Sequence, residues 1–108
     1  MVIRNLFSEI PNSINGELVE ILIRNEHFVF ERIISQGEAT PSGEWLDQDT
    51  NEWVILLSGG AGLIFEDEAE ECVMQSGDYV HIPTHQRHRV VWTDSKQKTI
   101  WLAIHYKS

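Results

Sequence analysis

With 108 residues and 42% apolar side chains, the chain is sized for one domain around one core. Its 17 acidic against 8 basic side chains give a net charge of −9, and the basic residues are scattered apart from Arg87 and Arg89 beside His88, so the basic stripe that a nucleic-acid partner needs is missing. No apolar run reaches the ~18 residues of a membrane span, Met1–Ile10 lacks the pattern of a signal peptide, and the single cysteine, Cys72, cannot form an internal disulfide. The expectation is one cytoplasmic domain over residues 1–108, with neither nucleic acid nor membrane as a partner.

In chain order, Ser8–Ile14 offers only a helical turn, limited by Pro11. After it come short runs rich in β-branched and aromatic residues, separated by Gly, Pro, Asn, Asp and Ser clusters. They predict strands at Leu18–Arg24, Phe28–Ile34, Gly43–Leu46, Glu52–Ser58, Ala61–Phe65, Glu70–Met74, Tyr79–Ile82, Arg89–Trp92 and Thr99–His105. Turn chemistry lies at Asn25-Glu26, Ser58-Gly59-Gly60 and Ser76-Gly77-Asp78. The fold class is all-β.

Alternation along Glu52-Trp53-Val54-Ile55-Leu56-Leu57 puts Glu52, Val54 and Leu56 on one face and Trp53, Ile55 and Leu57 on the other. Both faces are apolar, as in a sandwich or a two-sheet barrel. A carboxylate on such a face must be paired, protonated or bound to a metal. A second concentration of chemistry runs from Gly77 to His88: a Gly-Asp turn, a short strand, Pro83, then His85 and His88. Imidazoles delivered at a strand end are suited to a metal or a small acid.

These residues resemble the cupins, small metal-binding barrels. The first cupin motif has two histidines one residue apart, a glutamate three or four residues on, and a glycine seven residues later; Glu52 and Gly59 fit its end. Gly77, Pro83 and His88 fit the second motif, which runs from a glycine through a proline to a histidine. The resemblance covers about Val29 to Tyr106 and implies a double-stranded β-helix, or jelly-roll barrel. Neither histidine of the first motif is present. A four-residue spacer puts Trp45 and Asp47 in those positions, and a three-residue spacer puts Leu46 and Gln48 there. The first is preferred because Asp47 can coordinate a divalent metal. The chain is also similar to short cupins with a Trp-x-Asp-Gln-Asp stretch before a Glu-Trp pair.

The resemblance implies Asp47, Glu52 and His88 as ligands of a divalent transition metal (Fe, Mn, Ni or Zn). It further implies His85 as a fourth ligand or general acid/base, and Gln48, Arg87 and Trp45 as contacts for a small organic molecule, with Arg87 or Arg89 as a carboxylate clamp. The alternative is a metal-free ligand-binding or sensing barrel without catalytic activity; a third reading is a stabilising domain whose pocket is filled by side chains. His81 alternates onto the outer face with His105 read in the same way, and His27 reads as surface. Gly59-Gly60-Ala61-Gly62 lacks the Lys-Ser/Thr and helix of a phosphate loop and reads as a hairpin. Four tryptophans serve packing or an aromatic wall. The apolar outer face at Trp53, Ile55 and Leu57 calls for a homodimer.

Overall fold

The computed structural model describes residues 1–107. Eight strands follow in order: β1 (Leu18–Arg24), β2 (Phe28–Ser35), β3 (Asn51–Ser58), β4 (Ala61–Phe65), β5 (Cys72–Met74), β6 (Tyr79–Ile82), β7 (His88–Thr93) and β8 (Thr99–Tyr106). They form two antiparallel sheets, β1-β2-β8-β3-β6 and β5-β4-β7. The described residues contain no helix long and apolar enough to cross a membrane.

The core lies between the sheets and follows the alternation of the strands. Val54 and Leu56 of β3, Ala61 and Leu63 of β4, Ile82 of β6, and Trp101 and Ala103 of β8 turn inward and pack together with Met74. Trp53, Ile55 and Leu57 turn outward and are half-buried. The β3–β4 turn depends on Gly59, whose φ is +94°; a Cβ there would stand 2.4 Å from Thr99 Oγ1 and 2.6 Å from Thr99 Cα. Strand β8 therefore closes directly onto the hairpin.

Two expected elements take other forms. Gly43–Leu46 is not a strand, because a turn closed by Glu44 N–H to the Pro41 carbonyl contains Gly43 at φ +84°, and only Leu46 bridges to His88. Ser8–Ile14 makes bends and irregular backbone instead of a helical turn. The N-terminal segment is held by Arg32, which is buried in β2. Its Nη1 donates to the carbonyls of Leu6 (3.1 Å) and Ser8 (2.7 Å), while Nε and Nη2 reach Glu20 Oε1 (2.9 and 2.6 Å).

Candidate functional site

A cavity of about 230 Å³ opens between the sheets. Val54, Leu63, Ile82, Val90 and Trp101 supply its apolar wall, and Glu17, Glu31, Gln48, Glu52, His88 and His105 supply its polar groups.

The register at the missing histidines follows from one backbone contact. Leu46 N–H donates to the His88 carbonyl at 2.7 Å and His88 N–H to the Leu46 carbonyl at 3.1 Å, so the two residues are directly opposite and their side chains share a face. Leu46 and His88 both line the cavity, as does Gln48 two residues further on, whose Nε2 donates to Glu52 Oε1 at 3.0 Å. Asp47, preferred above for the interior, is not among the lining residues. It faces the rim, where His85 Nδ1 donates to its Oδ1 at 2.8 Å and both side chains meet solvent. His85 is itself in the left-handed region, φ +61°, with its N–H on the Gln48 carbonyl at 2.8 Å. Trp45 also lies outside the cavity, beneath the Arg87 guanidinium at 5.8 Å, and Arg87 is paired with Glu66. Arg89 Nη2 donates to the Thr40 carbonyl at 3.1 Å.

His88 is 4% exposed. Its Nδ1 lies 2.9 Å from the Gln86 carbonyl, and a carbonyl can only accept, so Nδ1 carries a proton. In the neutral ring Nε2 is then a bare lone pair, and it has no partner among the described residues. Phe65 packs against the ring, centroids 6.0 Å apart. Glu52 is 8% exposed, and its second oxygen likewise has no partner among the described residues.

Two further groups carry no motif. His105 follows Trp101 and Ala103 along the inward face of β8, opposite Glu52 on β3, and its Nε2 donates to Glu31 Oε1 of β2 at 2.7 Å. Glu31, His105 and Glu52 thus lie on one face of three neighbouring strands, with Glu52 directly opposite His105 and Glu31 on the diagonal, opposite Ala103. The outward reading of His105 is corrected; the signal was the period of two shared with Trp101 and Ala103. His81 does lie outside, stacked on Tyr106 with a 2.7 Å hydrogen bond. Burial raises the pKa of the Glu17 carboxyl above its ordinary value. The Ser35 hydroxyl pulls the other way, and the carboxylates of Glu38, Glu31 and Glu52 add to the rise.

A family model for the cupin domain matches residues 30–105. The chain belongs to the cupin family. A crystal structure from Ralstonia eutropha JMP134, described as that of a candidate mannose-6-phosphate isomerase, is 41% identical over the full length of both chains, with a TM-score of 0.96. A cupin superfamily protein of Desulfitobacterium hafniense DCB-2 is 16% identical, with 92% of this chain and 84% of that one covered and a TM-score of 0.73. A cupin with a double-stranded β-helix fold from Methanocaldococcus jannaschii is 20% identical over 92% and 87% of the two chains, with a TM-score of 0.70. These last two bear on the fold alone. No curated protein matches the chain.

The donor set of this cupin does not fit the metal centre that the family implies. Leu46 has no donor atom, and the amide of Gln48 is turned to Glu52. Among the described residues, no group of three or more His, Cys, Asp or Glu side chains is arranged to hold a metal ion.

Proposed function

We propose that this cupin binds a small organic molecule directly through side chains of the barrel, without a metal between them. The observation that carries the reading is the pairing of a buried imidazole with a buried carboxylate at one cavity: His88 Nε2 and a Glu52 oxygen both lack protein partners. Both atoms stay open to the cavity, since Arg89 Nε is the one fully shielded side-chain atom without a partner among the described residues, and a ligand can bond to them in place of water. Asp47 and His85 would act from the rim, by shaping the loop that carries Gln48. Apolar side chains exposed on the edge strand β1 (Val19, Ile21 and Ile23) and the outward Trp53, Ile55 and Leu57 favour a homodimer.

A second reading, proton transfer on a carbonyl compound, is favoured by the Glu31–His105 pair and by the description of the Ralstonia relative. A sugar phosphate is a poor match to this cavity, since no lysine or arginine lines it.

A thermal-shift screen of small metabolites on chelator-treated protein tests the first reading. A ligand at 100 times its Kd adds about 2.7 kcal/mol, which for 108 residues raises Tm by about 12 °C. The shift should shrink in His88→Gln. Stabilisation only after a divalent metal is restored would overturn the proposal.

A further inference from the structure

The cavity is rich in hydrogen-bond acceptors and poor in donors, and we infer that its ligand is a small organic amine, bound as the ammonium between Glu52 and His88. This inference rests on the reading of the barrel as a ligand cavity and names the chemical class it takes.

Most donors that line the cavity are already spent within the protein. Ser35 Oγ donates to Glu17 Oε2 (3.3 Å), Thr93 Oγ1 to the Glu38 carbonyl (2.6 Å) and Gln48 Nε2 to Glu52 (3.0 Å). His88 Nδ1 is held by the Gln86 carbonyl and His105 Nε2 by Glu31. With His105 as the neutral ring, whose Nδ1 is then one more acceptor, what remains is the second amide hydrogen of Gln48 and the indole N–H of Trp101. Against these two stand the bare Nε2 of His88, the free oxygen of Glu52 and the second oxygen of Glu31.

Charge points the same way. Three carboxylates, Glu17, Glu31 and Glu52, line the cavity, and no lysine or arginine does. The arginines of β2 and β7 are turned elsewhere, Arg32 to the N-terminal carbonyls and Arg89 to Thr40. The upward push that Glu31 and Glu52 exert on Glu17 is the mutual repulsion of this set. A cation relieves that repulsion and an anion adds to it. Each partner also has a separate role. His88 Nε2 can accept from an N–H, Glu52 supplies the counter-charge, and Val54, Leu63 and Trp101 receive the carbon skeleton. At the ~30 Å³ that a water occupies in the liquid, the cavity has room for about eight non-hydrogen atoms.

Benzylamine, benzyl alcohol and benzoate have nearly the same shape and differ in charge. Each is titrated into ¹⁵N-labelled, EDTA-treated protein while the Trp101 indole resonance is followed. Benzylamine should move that resonance and bind at least about tenfold more tightly than benzyl alcohol, the ratio expected for one charge-assisted hydrogen bond. Benzoate should leave it unmoved. Glu52→Gln, which keeps the shape of the side chain, should erase the preference for benzylamine over the alcohol, and His88→Gln should weaken both. Equal or tighter binding of the alcohol or of benzoate would overturn the amine inference and leave the ligand cavity standing. If none of the three moved cavity resonances, both would fall.

Discussion

Restoring two imidazoles is a demanding test of the register assigned to the Leu46–Glu52 segment. Leu46 and His88 exchange backbone hydrogen bonds at 2.7 and 3.1 Å, which places their Cα atoms about 5.5 Å apart with side chains on one face. Gln48 is already within 3.0 Å of Glu52. Leu46→His with Gln48→His therefore brings two imidazoles to the same face as Glu52 and His88, completing a set of three histidines and one glutamate. Even an outer-sphere partner of a metal ligand is worth about 10–100-fold in affinity, so two direct ligands set a floor of about 10²–10⁴-fold. Isothermal titration with Zn²⁺ or Ni²⁺ reads this against the wild type. Leu46 is 39% exposed, so its loss should cost the apo protein no more than about 1 kcal/mol, or ~4 °C in Tm. The matched control is Trp45→His with Asp47→His, which places both imidazoles outside the cavity. An equal gain in that control, or no gain in the first variant despite normal folding, would refute the register.

Three other perturbations check separate parts of the structure. Arg32→Met should lower Tm by roughly 4–9 °C, about 1–2 kcal/mol, since it removes the hydrogen bonds to the Leu6 and Ser8 carbonyls and a half-buried ion pair whose Glu20 side is 39% exposed; a change under 2 °C would contradict the anchoring role. Gly59→Ala should cost ~3 kcal/mol or more, measured by urea unfolding, because its Cβ meets the Thr99 backbone at a positive φ; a stability within 1 kcal/mol of wild type would show the hairpin packed otherwise. The Glu17 pKa is raised from 4.5, so the native state holds its proton more tightly than the unfolded chain. Its penalty is absent below that value and complete once pH passes the raised one. Glu17→Gln should accordingly increase Tm at pH 7 and give no gain near pH 3.5, and an equal gain at both would contradict the assignment.

The strands and the barrel were legible because both faces of β3 and the turn-strand-proline run from Gly77 carry periodic signals that local sequence cannot hide. The Asp47/Gln48 choice was not, since both residues are polar and the segment is too short and turn-bound to show alternation. It is decided by the pairing of Leu46 with His88, a contact across 42 positions of sequence. Glu31 and His105 escaped for a related reason. Neither belongs to a motif, and they meet only because β2 pairs with β8. A histidine at the end of a strand reads as surface until its partners are known. Buried polar groups brought together by strand pairing are thus the part of a barrel site that one-dimensional patterns convey least.

Direct side-chain binding by this cupin is tested most plainly by elemental analysis of untagged protein purified without chelator or added metal, beside His88→Ala. First-row metal should be far below one per chain, and the same in both proteins. A metal near one per chain that falls away in His88→Ala would contradict it.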